Sequence, residues 1–200
     1  MATKRQQQAQ ATKNRIIEAM QKLISEKGYD AVTVDDIAAE CNIGKGTLYH
    51  YFKGKDSIFS YFDRERFDNI PALVEERGLD TIEDRLKLYC TLWFDQILQD
   101  SLNLSVYWYH RALAKQLPDE RSGTHFSDDI ENITAMLEKS VASGELVPDT
   151  PISLIAADIV FSFNGATFYR CIEDGFDLSE WAREFIDHVV AIHVRPFKAQ

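Results

Sequence analysis

The sequence predicts an all-α protein of about nine helices, and two observations support this fold class. Along most of the chain, apolar residues recur at intervals of three and four, and no useful stretch alternates apolar and polar residues as a strand does. Hydrophobic residues make up 45% of the 200 residues, which is enough for a sizeable core. We expect a small three-helix domain over residues 1–55 and a larger helical domain over residues 56–200.

The N-terminal domain is predicted to begin with an arm and a long helix. Residues 1–11 have no apolar face to bury, so we expect them to be disordered. Helical spacing starts near Thr12 and ends at Lys27 and Gly28, because a basic last turn followed by glycine is typical of a helix C-terminus.

Residues 33–55 predict two short helices joined by a tight turn, followed by the start of a third helix. Thr33 and Asp36 form a capping-box pattern at the start of the first helix. The turn contains asparagine and glycine, which tolerate the left-handed backbone that a tight turn requires. In the second helix Leu48 and Phe52 lie four apart and are expected to pack inward, which leaves a polar, aromatic and basic outer face.

A family resemblance follows from the residues of this segment, which read TVDDIAAECNIGKGTLYHYFKGKDSIF. The stretch from about Arg15 to Phe59 resembles the N-terminal domain of the TetR family of transcriptional regulators. The resemblance implies a sequence-specific DNA-binding regulator whose second helix enters the major groove. It further implies a repressor that a small molecule releases from its operator, and no enzymatic activity.

The resemblance and the chemistry of the side chains together indicate the DNA-binding residues. Phosphate contacts set affinity and position, whereas contacts to base edges set specificity. The candidates are Thr33, Tyr49 and Lys55 for phosphates, and Lys45, Gly46, Thr47 and His50 for close approach to base edges. Gly44 departs from the Ser or Thr that is usual in the family, which removes a side-chain cap from the second helix.

The remainder of the chain predicts six more helices. The first is a connector that starts at Asp56 and that Pro71 should break near residues 68–70, because proline removes a helical N–H and clashes with the preceding turn. The other five span about 81–98, 102–117, 127–143, 151–173 and 179–194, with a loop containing Pro and Gly at 118–124.

Charge is distributed unevenly along the chain. The net charge of −10 argues at first sight against nucleic acid, since phosphates repel an acidic surface. Residues 1–55 nevertheless carry nine Lys or Arg against six Asp or Glu, a net charge of +3, so the rest of the chain carries −13. Double-stranded operator DNA is therefore the expected partner of residues 1–55.

Other features favour a cytoplasmic protein without a cofactor. Three widely separated cysteines indicate neither a disulfide framework nor a metal site. We find no phosphate-loop, zinc-helix or nucleophile motif in the sequence, so we expect no catalytic residues, no metal and no cofactor. We also find no apolar run that approaches the length of a membrane span, and we expect no membrane partner.

The larger domain is rich in aromatic residues, and the resemblance implies a small-molecule pocket there. Such pockets are apolar with a few polar groups, so we expect a largely apolar or aromatic effector. The candidate residues are Trp93, Trp108, His110, Asn164 and Phe168. We also expect a homodimer through residues 151–196, because a helix that is apolar on nearly every face needs a partner on its second side.

Two alternatives stay open at this point. In the first, the helix pair is purely structural and the chain is a helical small-molecule-binding or enzymatic domain. In the second, the chain is a DNA-binding dimer that takes no ligand. Salt-dependent binding to promoter DNA separates the first alternative from a regulator, and an occupied cavity argues against the second.

Overall fold

The computed structural model describes residues 3–113 and 125–199, which are predominantly helical, and the all-α prediction is confirmed. A π-helical turn (Phe185–Val189) joins the last two α-helices, and a 3₁₀ turn (Arg195–Phe197) follows them. The α-helices in chain order are α1 (Lys4–Lys27), α2 (Val34–Glu40), α3 (Lys45–Tyr51), α4 (Lys55–Phe67), α5 (Ile70–Glu76), α6 (Ile82–Leu98), α7 (Leu102–Leu113), α8 (His125–Ala142), α9 (Ile152–Ile172), α10 (Leu178–Glu184) and α11 (Val190–Val194).

The described residues form two compact units. Unit 1 comprises residues 3–65 and 101–113, and unit 2 comprises residues 66–100 and 125–199. The predicted domain boundary after residue 55 lies at the start of α4, whereas the structure divides the chain after residue 65 and adds α7 to the smaller unit. The predicted loop at 118–124 lies outside the described residues.

The N-terminal segment is helical from Lys4 onward, so the expectation of a disordered arm over residues 1–11 is corrected. The Thr3 hydroxyl accepts a hydrogen bond from the Gln6 backbone N–H, and the Gln6 side chain accepts one from the Thr3 N–H. This capping box starts the helix, and the Gln and Ala residues that follow have good helix propensity. Because α1 is packed against its neighbours from Ile16 onward, the segment only extends a helix that tertiary contacts already stabilise.

α7 joins unit 1 through its aromatic residues. Tyr107 stacks on Tyr29, and the hydroxyls of both residues donate hydrogen bonds to the Asp56 carboxylate at the start of α4. Burial, followed by the hydrogen bond to Asp56, raises the pKa of Tyr29. The Trp108 indole N–H donates to Asp63 over 3.1 Å. The periodicity of the sequence predicts this helix but contains no signal for where it packs.

Two predicted helices are each divided in the structure. The connector ends at Phe67 and resumes at Ile70, with Pro71 in the first turn of α5, as predicted. The last helix contains the π-helical turn between α10 and α11, which the sequence did not indicate. The nine predicted helices therefore correspond to eleven α-helical segments in the part of the chain that the structure describes.

α9 crosses the core of unit 2 and packs against α8. Its buried residues include Ile159 and Phe163, and the Phe163 ring lies 4.3 Å from that of Trp93 on α6. By length and composition alone α9 is able to cross a membrane, so the expectation that no apolar run reaches that length is wrong. Within an apolar stretch of 18 residues of α9, 44% is buried inside the protein, and the core helices of soluble proteins share this length and composition.

Candidate nucleic-acid interface and ligand cleft

The start of α2 is held by a reciprocal cap, which confirms the capping box predicted from the sequence. The Thr33 hydroxyl accepts a hydrogen bond from the Asp36 N–H at 3.1 Å, and the Asp36 carboxylate accepts one from the Thr33 N–H at 2.8 Å. The Thr33 hydroxyl also donates a hydrogen bond of 2.7 Å to the Asp36 carboxylate. This bond is the largest cause that lowers the pKa of Asp36 to about 2, followed by the bond from the Thr33 N–H and by Lys27 at 3.1 Å. The cap therefore keeps its charge at physiological pH and fixes the first turn of the helix pair.

A tight turn joins α2 to α3. Asn42 takes the left-handed backbone conformation with φ of 53°, and Gly44 is the N-cap residue of α3 with φ of −68° and ψ of 144°. No side chain caps α3. A Cβ built on Gly44 would meet only the Thr47 hydroxyl oxygen, at 3.9 Å, so the backbone leaves room for the Ser or Thr that is usual in the family.

α3 has a buried apolar side and an exposed, mostly polar side. Leu48 is fully buried, and Phe52, the residue that follows the helix, is 5% exposed. The outer face carries the predicted base-reading and phosphate-binding residues, all of them exposed: Lys45, Gly46, Thr47, Tyr49 and His50. The structure thus brings four side chains and the bare backbone of Gly46 together on the exposed side of a seven-residue helix.

Lys45 has a partner within the helix pair. Its ammonium lies 2.8 Å from the Asp35 carboxylate on α2, and this hydrogen bond raises the pKa of Lys45. Both side chains are more than half exposed, so solvent weakens the pair and the ammonium is able to exchange Asp35 for another anion.

Lys55, the third predicted phosphate contact, is engaged within unit 1. Its ammonium donates hydrogen bonds to the backbone carbonyls of Tyr29 and Val32, at 2.9 and 3.0 Å, and lies 4.1 Å from the centre of the Tyr29 ring. Lys55 therefore closes the loop between α1 and α2. A variant at this position would test loop structure together with phosphate binding.

The five predicted ligand-binding residues are divided between the two units. Trp93, Asn164 and Phe168 lie in unit 2, whereas Trp108 and His110 lie in unit 1. Trp93 is 3% exposed and donates its indole N–H to Asp129 at 3.1 Å, and the Asn164 amide donates to the Val160 carbonyl at 3.0 Å. His110 and Phe168 are exposed.

Unit 2 contains an open cleft of about 620 Å³ between α5, the start of α6 and α8. Its walls are mostly apolar, and a salt bridge of 2.8 Å joins Glu75 on α5 to Lys139 on α8. The lining residues include Pro71, Val74, Glu75, Leu79, Asp80, Arg85, Asn132, Met136, Lys139 and Glu145. The sequence reasoning missed this set because its members come from distant segments and share no motif.

The guanidinium of Arg85 lies at the wall of the cleft and is held in place by hydrogen bonds. Arg85 donates hydrogen bonds to the carbonyls of Leu79 and Asp80, to the Ser140 hydroxyl and to the Glu145 carboxylate. These four partners hold the loop before α6 against the end of α8. Within residues 3–113 and 125–199, no group of three or more His, Cys, Asp or Glu is placed to hold a metal ion.

Comparison with known proteins is consistent with this geometry. Residues 16–62 match the family model for bacterial regulatory proteins of the tetR family. The negative transcriptional regulator IcaR of the biofilm operon icaADBC, from Staphylococcus aureus strain Newman, is 31% identical over 133 residues, which cover 65% of this chain and 67% of IcaR. This chain belongs to the TetR family. The resemblance seen in the sequence is confirmed, and the protein is a DNA-binding transcriptional regulator.

Solved structures of the TetR family share the fold. A TetR-family transcriptional regulator from Syntrophomonas wolfei superimposes with a TM-score of 0.76 at 19% identity, covering 92% of this chain and 95% of that one. The regulator FadR from Bacillus subtilis, solved in complex with stearoyl-CoA, gives a TM-score of 0.64 at 22% identity, covering 89% and 97%. Members of this family are soluble transcriptional regulators rather than enzymes.

Proposed function

We propose that the protein is a cytoplasmic, homodimeric repressor that reads operator DNA with α3 and leaves it when a small molecule binds. The observation that carries this proposal is the outer face of α3, where a cation, two hydroxyls and an imidazole are exposed around a glycine. In this assignment Lys45, Thr47 and His50 reach base edges, and Tyr49 and Thr33 contact phosphates. Repression is also the activity named for IcaR.

The dimer is proposed to form through α9 and the C-terminal helices, within residues 151–196. Leu154, Phe161, Phe168 and Ile172 lie on one face of α9 and are between 39% and 63% exposed. Gly165 lies on the same face, and a Cβ built on it would meet no atom within 4 Å. Glycine within a helix costs about 1 kcal/mol relative to alanine, and nothing in this chain requires it there. A closely approaching partner helix supplies the reason.

The cleft between α5, α6 and α8 is the proposed effector site. Pro71 and Val74 supply part of its apolar wall, so a bound molecule would contact the segment that directly continues the connector. A largely apolar effector matches the mostly apolar lining. FadR from Bacillus subtilis, which shares the fold, was solved with stearoyl-CoA, a ligand with a long apolar chain. An effector changes the equilibrium between two conformations of the protein only to the extent that it binds one of them more tightly than the other.

Binding to DNA tests the first part of the proposal. The probe is a duplex selected from a random-sequence library by repeated rounds of binding to the full-length protein. We expect affinity to fall steeply with salt, and Tyr49→Phe to weaken binding to all sequences alike, because it removes a phosphate contact. Lys45→Ala or His50→Ala should also relax base preference, each by about 1–3 kcal/mol at the affected position.

The matched control is Arg77→Ala, which removes an exposed cation from unit 2 outside the cleft and should leave DNA binding unchanged. If Tyr49, Lys45 and His50 were all replaceable without effect on the duplex, α3 would not be the DNA-reading element. Met136, a half-buried residue of the lining, provides the matching test for the cleft: Met136→Trp should fill part of it and abolish the response to an effector while the affinity for DNA is kept.

A further inference from the structure

The register of α1 against α2 shows where the N-terminal end of α1 lies. Lys27 pairs with Asp36 at 3.1 Å, and Lys22 pairs with Glu40 at 2.6 Å. Arg15 donates a hydrogen bond at 2.7 Å to the carbonyl of Cys41, in the turn between α2 and α3. The two helices are therefore antiparallel, and the residues before Arg15 continue past the turn.

The extension is long for a helix end. Eleven residues, 4–14, precede Arg15 in the helix, and at 1.5 Å per residue they project about 16 Å beyond the turn. Apart from the partly buried Ala9, Gln10, Thr12 and Lys13, this segment is exposed. A helix that only served the core of unit 1 would not need it, because the buried face of α1 begins at Ile16.

The extension is held against α4 on one side. The Gln10 amide donates hydrogen bonds to Glu65 at 2.9 Å and to the Tyr61 hydroxyl at 3.4 Å, and the Lys13 ammonium lies 4.3 Å from the centre of the Tyr61 ring. Tyr61 in turn packs edge to face against Phe52, the residue that follows α3. The extension therefore adjoins both the turn before α3 and the end of α3.

Charge along the extension has one sign. Residues 1–17 contain four basic residues and no acidic one, in a protein with a net charge of −10. Lys4 and Arg5 are exposed near the tip. α3 has seven residues and spans only about 10 Å, so DNA lying on its outer face passes both of its ends. Cations beside those ends are placed where backbone phosphates run.

We infer that the first ten residues of α1 form a second, preformed contact surface for the DNA backbone, in which Lys4 and Arg5 bind phosphates beside the region that α3 reads. The surface adds affinity without sequence preference. Because the segment is already helical and anchored by Gln10, binding does not have to order it, which distinguishes it from a flexible basic tail. This inference rests on the proposed reading of DNA by α3.

The test compares full-length variants on the selected duplex. Lys4→Gln combined with Arg5→Gln should weaken binding about a thousandfold at physiological salt, because a dimer loses four phosphate contacts and each costs about sixfold there. The slope of log K against log salt concentration should fall by about 4 for a dimer, because each lost phosphate contact removes roughly 1. Base preference should stay unchanged. Arg77→Gln combined with Lys87→Gln is the control, since it removes the same charge from unit 2 at residues outside the cleft and should leave the slope unaltered.

A second variant separates a preformed surface from a tail. Ala9→Pro keeps both charges but interrupts the helix between them and the Gln10 anchor, and we expect it to weaken binding nearly as much as the double substitution. Wild-type affinity in either variant, with wild-type protein still binding in a salt-dependent manner, would overturn the inference alone. Wild-type protein that fails to bind the duplex would overturn the proposed function and the inference together.

Discussion

At the scale of single residues, two helical glycines are the most informative positions in the chain. Gly46 on α3 and Gly165 on α9 both lie within helices, and a Cβ built on either would meet no atom within 4 Å. The fold therefore does not require glycine at these places. Both positions lie on exposed faces, so we propose that a partner that approaches closely offsets the cost in helix stability: DNA at Gly46 and a second copy of the chain at Gly165.

Gly46→Ala should change stability and DNA binding in opposite directions. Alanine in the helix interior should raise the free energy of unfolding by about 0.5–1 kcal/mol, because it restricts the unfolded chain and favours the helix. DNA affinity should fall about tenfold or more if a methyl group at this place meets the DNA. Urea unfolding and a binding titration measure the two effects, and equal or higher DNA affinity would show that the backbone of α3 does not approach the DNA at Gly46.

Glu83 on α6 ties the C-terminus to unit 2. It is 9% exposed and accepts hydrogen bonds from Arg195 at 2.8 Å and from Lys198 at 3.3 Å. The hydrogen bond from Arg195 is the largest cause that lowers the pKa of Glu83 to about 2, from an ordinary value of 4.5. Beside it, Leu146 and Lys198 form an isolated antiparallel bridge. The charged carboxylate therefore stabilises the contact between α6 and residues 195–198.

The lowered pKa predicts the pH dependence of stability. Because the folded pKa lies below the unfolded one, the contribution of Glu83 is fully present above about pH 4.5 and is lost as the pH falls towards 2. Glu83→Gln should lower the free energy of unfolding at pH 7 by about 2 kcal/mol and should flatten its decline over that window. Urea unfolding at several pH values measures this, with Glu138→Gln on the exposed face of α8 as the control.

At the scale of elements, the end of α4 is fixed to the end of α6. The Arg66 guanidinium donates two hydrogen bonds of 3.0 Å to Asp100 and one of 3.3 Å to the Gln96 side chain. The side chains of Arg66 and Asp100 are only 11% and 7% exposed. α4 ends at Phe67, and α5 begins at Ile70 with Pro71 in its first turn. Arg66 therefore anchors α4 directly before the point at which the helix is interrupted.

Asp100→Asn should destabilise the protein by about 2–4 kcal/mol, because it leaves the Arg66 charge buried without its carboxylate. Glu75→Gln is the matched control: it breaks a salt bridge of 2.8 Å between two side chains that are more than 70% exposed, and should cost less than about 1 kcal/mol. Urea unfolding measures both. Similar losses for the two variants would mean that Arg66 finds another anion when Asp100 is replaced.

At the scale of the whole molecule, the proposed function depends on two copies of the chain. A dimer of such helix pairs reads two half-sites about one DNA turn apart, so a monomer would lose most of its operator affinity. The exposed apolar face of α9 is the surface available to pair, with Phe161 at its middle, 59% exposed. Unit 1 supplies the reading helix, and unit 2 supplies both α9 and the cleft.

Phe161→Glu should convert the dimer to a monomer, because two carboxylates would then face each other in an apolar interface. We expect sedimentation at micromolar concentration to show the monomer and operator affinity to fall at least about a hundredfold, since half of the DNA contacts are lost. Val106→Glu, the same kind of change at an exposed apolar residue of α7, serves as the control. A dimeric Phe161→Glu protein would place the interface elsewhere.

The sequence by itself determined the helices, the helix pair and the family. These features depend on local patterns, each of which affects only the backbone within a few residues of it. The patterns are the Thr33–Asp36 cap, the Asn-Ile-Gly turn, the period of the apolar residues and the proline at 71. The residues proposed to contact DNA were found for the same reason, since Lys45 to His50 lie on consecutive turns of one helix.

Only the tertiary structure decided what depends on contacts between distant segments. Tyr107 meets Asp56 across 51 residues, and this pairing places α7 in unit 1 rather than with the helices on either side of it. Pro71 and Lys139 both line the cleft, and the sequence pattern of neither segment indicates that the two segments pack together. The helical state of the N-terminal arm was decided in this way too. Its polar residues bury little surface of their own, and they are helical because Thr3 caps a helix whose later turns are packed against α2 and α7.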